Sequence, residues 1–259
     1  MEFAREDLEA LIYAKDLLEH PKLAAKITSL LGTPLEKGFK LLPAKWSESV
    51  QEAARVSVRK ALDLAVKTLG DEPSKPSSDF VHRMIVAANG AAAGALGLPA
   101  LLIELPLSTA IMLRSIADVA RSEGESIREM GTRLACLEVF ALGGRSSADN
   151  AAEAGYFAVR IALARTVAEA ANYIAERGIV EEGAPVLVRL ISTIAARFGA
   201  VVSEKVAAQA IPVIGAAGGA LINTVFIDHF QDMARGHFIV RRLERTYGPE
   251  LVRRQYELL

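Results

Sequence analysis

The sequence has few cysteine and aromatic residues, and its positive and negative charges nearly balance. Its 259 residues include one cysteine, Cys136, which excludes an intramolecular disulfide and a cysteine-cluster metal site. Aromatic residues make up 6% of the chain, and tryptophan occurs once. Lys and Arg total 30 against 31 Asp and Glu, so a net charge of −1 creates no global field that favours nucleic acid. We therefore expect no nucleic-acid partner.

Motifs for common chemistry are missing as well. The sequence shows no serine elbow, no Walker-type loop and no dinucleotide-binding pattern, because its glycines at 215, 218 and 219 do not follow a predicted strand. We assign no cofactor and no metal. The first 20 residues alternate charged and apolar side chains and lack the continuous apolar core of a signal peptide. This pattern predicts a cytoplasmic protein.

Ala, Leu, Ile and Val supply the apolar character, and the mean hydropathy is +0.26. They recur at helical spacing, and no segment alternates with period two, so the sequence predicts an all-α multi-helix bundle. Helices are expected from about Ser47 to Leu69 and from Pro185 to about Gln209, with capping boxes at Thr33 and Ser126.

A predicted loop at residues 70–79 collects Gly, Pro, Ser and charge. It separates the N-terminal amphipathic helices, 1–70, from a main helical body at 79–259. One continuous domain is the alternative.

Two long apolar stretches rich in glycine and alanine, residues 84–113 and 206–227, dominate the main body. The first contains one charged residue, Glu104, and the second contains none. Each is long enough to cross a bilayer. Internal prolines, Asn89, Asn223 and the lack of flanking Trp and Tyr favour central, bent helices packed inside the bundle. Reversible membrane contact and constitutive spanning are the alternatives.

Charged and polar side chains near the ends of these stretches are the candidates for function. If the protein is an enzyme, its catalytic candidates are Glu104, Asp118, Asp228, His229 and Asp232. A wider polar cluster adds Arg114, Asn223, Arg235 and His237. Carboxylates and histidines beside an apolar pocket would suit hydrolysis of an apolar substrate. We favour a structural interpretation, in which Arg114 pairs with Asp118, and Asp118 with Arg121, along one helix, and the other groups form a satisfied polar network.

Three segments resemble the EcsC family of bacterial proteins. They are IPVIGAAGGALINTVFIDHFQDMARGHFIVRRLERTYG at 211–248, LPALLIELPLSTAIMLRSIADVARSEGE at 98–125 and LACLEVFALGG at 134–144. The resemblance covers roughly residues 45–250 and draws nothing from the N-terminal helices. It implies a cytoplasmic or membrane-peripheral location, since the family takes its name from a gene accompanying an ABC-type exporter. It assigns no role to any residue.

Together these features predict a non-enzymatic helical interaction protein. It would engage a lipid membrane, or a membrane-protein partner such as a transporter, through its apolar helices, in the cytoplasm or at the inner face of the membrane. A helical hydrolase or lipid-modifying enzyme that takes an apolar ligand is the first alternative. An oligomeric scaffold built on the small residues is the second.

Overall fold

The computed structural model describes residues 3–19, 23–67, 98–143, 155–177, 184–211 and 215–259, without the side chains of 98–103 and 215–217. Over these ranges the chain forms ten α-helices and one short 3₁₀-helix and contains no strand. The predicted all-α multi-helix bundle is confirmed. The predicted loop at 70–79 and the first part of the apolar stretch, 84–97, lie outside the described residues.

The helices are numbered from the N-terminus to the C-terminus. They are α1 (Arg5–Glu19), α2 (Leu23–Leu31), α3 (Leu35–Leu41), α4 (Trp46–Lys67), α5 (Leu98–Ser122), α6 (Met130–Glu138), the 3₁₀-helix Val139–Ala141, α7 (Tyr156–Arg177), α8 (Pro185–Gln209), α9 (Gly215–Tyr247) and α10 (Pro249–Leu258).

The centre of the bundle consists of α5, α8 and α9, and the shorter N-terminal helices pack around them. Helix α4 lies against α5 and α8, and α1 lies along α9. Helix α9 has 33 residues and is therefore about 50 Å long. Buried side chains from both the N-terminal and the C-terminal helices form one continuous apolar core. The described parts of both apolar stretches belong to this core, as predicted for central helices.

One helix in the described part of the chain, α8, is long and apolar enough to cross a bilayer by length and composition, and half of its most apolar part is buried in the bundle.

The aromatic residues of the core gather where α8 and α9 meet. Phe140, Phe198 and Phe230 have ring centroids 5.2–5.5 Å apart, in tilted or edge-on arrangements. Aromatic pairs in these arrangements stabilise the core by more than the burial of their surface area alone.

The predicted start of α3 is correct to one residue, because the helix begins at Leu35, but the predicted capping box at Thr33 is wrong, since no side chain caps it. The predicted start at Ser126 is wrong. Helix α6 begins at Met130, four residues after Ser126. The turn before it competes with helix, because the Arg133 side chain donates to the carbonyl of Ile127 at 2.6 Å.

The proline in the described part of the first apolar stretch does not break the helix. Pro106 lies inside α5, which runs without interruption from Leu98 to Ser122. The hydroxyls of Ser108 and Thr109 bond back to carbonyls one turn earlier, at 2.9 and 2.7 Å. The prediction that proline bends or breaks the helix is therefore wrong for Pro106 as far as a break is concerned.

Helix α3 is held against α8 by a contact that only glycine allows. A Cβ atom added to Gly38 would overlap the carbonyl oxygen of Ala207 and lie 2.6 Å from its carbonyl carbon. We expect Gly38→Ala to destabilise the protein by about 1–3 kcal/mol, because the clash is with backbone that cannot rotate away. Chemical denaturation followed by circular dichroism measures the loss.

The matched control is Gly131→Ala in α6, where an added Cβ would meet no atom within 4 Å. Alanine there should be neutral or stabilise by about 0.5–1 kcal/mol, because glycine is the poorer helix former. Equal effects of the two substitutions would show that α3 does not seat on α8 as described.

Candidate functional site

The sequence-predicted residues lie on two helices, α5 and α9, and they separate into different environments. Glu104 and Asn223 meet in the core, and His237 belongs to a second buried cluster nearer the C-terminal end of α9. His229 is buried elsewhere, against Gly143. The remaining candidates are partly or fully exposed to solvent.

The first buried cluster is an ion pair between α5 and α8, joined by a residue of α9. The ammonium group of Lys205 lies 2.8 and 2.9 Å from the two carboxylate oxygens of Glu104. The Asn223 side-chain amide donates to the same carboxylate at 3.2 Å. Lys205 is fully buried and Glu104 is 7% exposed.

The surroundings of this pair are apolar. The Lys205 ammonium also lies over the ring of Phe226, 4.9 Å from its centroid, so an aromatic face helps to compensate for lost hydration. Both carboxylate oxygens of Glu104 already accept hydrogen bonds. We therefore interpret the cluster as a structural lock that fixes the relative position of α5, α8 and α9, rather than as a free acid or base.

The second buried cluster surrounds His237 of α9. Its Nδ1 atom lies 3.0 Å from the hydroxyl of Tyr156 on α7. On the other side of the ring, Nε2 lies 4.0 Å from a carboxylate oxygen of Glu138 on α6. Tyr156 is 3% exposed and His237 is fully buried, so the three side chains form a buried polar contact between helices.

Burial controls the protonation of this second cluster. It raises the pKa of Glu138 from 4.5 to about 7, although Arg160 and Arg241 act against the shift. Burial and the same two arginines hold the pKa of His237 well below its usual value. At neutral pH the histidine is therefore uncharged, and Glu138 can carry a proton.

The arginine nearest this cluster already has a partner. Arg160 donates to both carboxylate oxygens of Glu244, at 2.7 and 3.0 Å, and its guanidinium stacks over the ring of Tyr156. Such bidentate pairs combine strength with fixed geometry. Arg160 therefore anchors α7 to α9.

His229 is packed inside the bundle, and Asp232 has other partners. An added Cβ at Gly143 would lie 2.7 Å from the His229 ring, so the histidine packs tightly on the chain there. Burial, together with Lys26, lowers the pKa of His229 to about 4. Asp232 pairs instead with Arg235 at 3.3 Å and with Lys26 at 3.4 Å.

The remaining candidates on α5 show ordinary surface pairing. Arg121 and Asp118 form an ion pair of 2.6 Å one turn apart, which confirms the predicted intrahelical pair. Arg114 is exposed. Asp118 lies about 21 Å from Glu104 along the helix axis, so these two carboxylates do not share a site. Asp228 lies one turn before Asp232 on α9 and is partly exposed, with one carboxylate oxygen buried.

The structure therefore brings Glu104 and Asn223 together but not the other candidates. In the described ranges, no three His, Cys, Asp or Glu side chains converge to hold a metal ion.

Sequence reasoning missed Lys205, Tyr156 and Arg160. A signal for Lys205 was present, because it is the last charge before the uncharged stretch 206–227 and Glu104 is the one charge within 84–113. Single opposite charges bordering two apolar stretches are expected to pair when those stretches pack together. Tyr156 and Arg160 stand in an ordinary amphipathic helix and carry no such signal.

Comparison with known proteins gives one result. A profile described as the EcsC protein family matches residues 6–243. The match begins in α1, so it includes the N-terminal helices that the sequence resemblance had left out. Comparison with curated proteins and with solved structures gave no match.

Proposed function

We propose that this chain, which belongs to the EcsC protein family, is a non-enzymatic interaction protein that engages a lipid membrane or a membrane-protein partner through its apolar helices. It would act in the cytoplasm or at the inner face of the membrane. The enzyme alternative has less support, because the candidate side chains do not converge in the described part of the chain.

One observation carries the proposal. Each apolar stretch is mostly buried where it is described, yet each leaves one leucine in solvent. Leu107 of α5 is 46% exposed and Leu221 of α9 is 53% exposed. Along their helices they lie within one turn of Glu104 and Asn223, which touch each other, so both leucines lie at the level of this contact in the bundle.

The apolar helix α8 provides further support. It combines bilayer-crossing length with incomplete burial, and its Lys205 pairs with Glu104 in the same region. Core helices of soluble proteins share this composition, so the proposal rests more on the exposed leucines than on α8. Exposed apolar side chains on otherwise buried apolar helices are candidates for an interaction surface.

Vesicle flotation of the full chain tests the proposal. We expect the protein to float with lipid vesicles and to be released from a membrane fraction by carbonate, as a peripheral protein is. Leu107→Asn with Leu221→Asn should weaken vesicle binding about 25-fold, since each half-exposed leucine contributes roughly a factor of five.

The matched control replaces two exposed apolar residues on other helices. Ile12 of α1 is 48% exposed and Ile161 of α7 is 56% exposed. Ile12→Asn with Ile161→Asn should bind vesicles as the wild type does. Resistance to carbonate would overturn peripheral contact in favour of a spanning protein. Failure to float with any vesicle composition would exclude the lipid version and leave only a protein partner.

A further inference from the structure

The segment that contains α2 and α3 carries a net positive charge. Residues 23–46 include four lysines and one acidic residue, Glu36, which gives +4 − 1 = +3. Because the whole chain carries −1, all other residues together carry −4. The segment thus has the opposite sign to the rest of the protein.

Helix α3 turns its lysines away from the bundle. Its inward side carries Leu35, which is 6% exposed, and Gly38, which contacts Ala207 of α8. Lys37 and Lys40 lie on the opposite side, Leu41 lies beside Lys37 at helical spacing, and all three are exposed. The exposed Lys45 follows in the turn before α4. We call Lys37, Lys40, Leu41 and Lys45 the basic ridge.

The lysines of the basic ridge form no ion pair within the described residues, whereas the arginines of α9 do. Arg241 pairs with Glu125 at 2.8 Å, and Arg242 pairs with Asp7 at 3.0 Å and with Glu123 at 2.9 Å. Their charge is compensated inside the molecule. The charge of the basic ridge faces solvent and is available to a partner.

Apolar and aromatic side chains accompany these lysines. Leu41 is 55% exposed, and Leu30 at the end of α2 is 49% exposed. Trp46 is partly buried, with its ring centroid 5.6 Å from that of Phe39. Lysines beside an exposed leucine and a tryptophan are characteristic of helices that rest in a lipid interface. A partner that is only a chain of phosphates would make no apolar contact with these leucines.

We infer that the basic ridge docks on the anionic headgroups of a membrane, with Leu41 entering the boundary between headgroups and acyl chains. This inference rests on the proposed function and names the lipid chemistry that would direct it. Because Gly38 seats α3 on the last turns of α8, docking would also bring the start of the stretch 206–227 close to the membrane.

Flotation with two kinds of vesicle tests the inference on the full chain. We expect binding to mixed phosphatidylcholine and phosphatidylglycerol vesicles, weakened by salt, and much weaker binding to phosphatidylcholine alone. Lys37→Gln, Lys40→Gln and Lys45→Gln together should weaken binding about 100-fold, since each lysine near an anionic surface contributes about fivefold. Leu41→Ser should weaken it about fivefold.

The matched control removes the same amount of charge elsewhere. Lys60, Lys67 and Arg254 are exposed, and Lys60→Gln, Lys67→Gln and Arg254→Gln together should leave vesicle binding within twofold of wild type. Circular dichroism should show unchanged helix content in both triple variants, because all six side chains lie in solvent.

The outcomes separate this inference from the proposed function. Equal binding to both vesicle types, or wild-type binding by the triple variant of the basic ridge, would overturn the inference and leave membrane contact intact. Failure to bind any vesicle would overturn the inference together with the lipid version of the proposed function, and would leave only a protein partner. If duplex DNA displaced the vesicles and Leu41→Ser bound as wild type, the basic ridge would be a general polyanion site and the membrane assignment would be wrong.

Discussion

Replacing Lys205 by methionine is expected to lower the free energy of unfolding by about 3–5 kcal/mol, the largest effect of any single substitution proposed for this protein. The substitution keeps most of the side-chain volume but leaves the Glu104 carboxylate in the core without its cation. Lys205 is fully buried, so water cannot replace the lost ammonium without opening the contact between α5 and α8. Urea denaturation followed by circular dichroism measures the change.

A double variant distinguishes the buried charge from the lost contact. Glu104→Gln with Lys205→Met removes both charges and keeps an acceptor for the Asn223 amide, which lies 3.2 Å from Glu104. We expect it to recover most of the stability, because a buried ion pair is roughly as stable as a well-packed apolar replacement.

Lys26→Met is the surface control. Its pair with Asp232 is 3.4 Å long and partly solvated, so the loss should stay below about 1 kcal/mol. An equally small loss for Lys205→Met would mean that the Glu104–Lys205 pair is open to water.

Stability should also depend on pH through Glu138. Its pKa is raised to about 7 in the folded protein from 4.5, so between these values the folded state holds a proton that the unfolded state has released. The contribution is therefore complete below pH 4.5 and is lost as the pH rises to about 7. The loss amounts to about 3 kcal/mol.

Glu138→Gln isolates this contribution, since glutamine cannot ionise. The difference in free energy of unfolding between wild type and variant should decrease by about 3 kcal/mol from pH 4.5 to pH 7.5. The lowered pKa values of His229 and His237 act in the opposite direction and destabilise the protein as the pH falls below 6.5. They are present in both proteins, so they largely cancel in the difference.

A second variant, Glu138→Met, tests whether ionisation rather than hydrogen bonding is responsible. It should reproduce the pH dependence of Glu138→Gln, whatever its absolute stability. A difference between wild type and both variants that did not change with pH would show that Glu138 is hydrated and titrates normally.

The ends of helices could be predicted where a proline or a regular apolar spacing marks them. Helix α8 begins at Pro185 and ends at Gln209, as its first-turn proline and apolar spacing predicted. The predicted helix from about Ser47 to Leu69 is α4, Trp46–Lys67. Capping boxes were less reliable, because a serine or threonine followed by glutamate also suits a turn. Ser126 begins a turn rather than a helix, and the Arg133 side chain donates a hydrogen bond to the Ile127 carbonyl in that turn.

The polar clusters could be predicted only in part. Glu104 was noticed because a carboxylate in an apolar stretch needs a partner. That partner, Lys205, is 101 residues away, and helical periodicity contains no information on which helices become neighbours. The same applies to Tyr156 and His237, which are 81 residues apart. Spacing along one helix predicted the Asp118–Arg121 pair because both partners share that helix.

The contact between α1 and α9 also determines the order in which the protein can assemble. Asp7 binds Arg242 at 3.0 Å, and Leu18 lies against Gly236, so α1 completes its packing against residues made more than 200 positions later. At about 5–20 residues per second, a ribosome needs roughly ten to fifty seconds to synthesise that interval. During this time the apolar side of α1, with Leu11, Ala14 and Leu18, has no α9 to cover it. A nascent chain halted before α9 should therefore bind a holding chaperone through α1, and release should coincide with the emergence of Gly236.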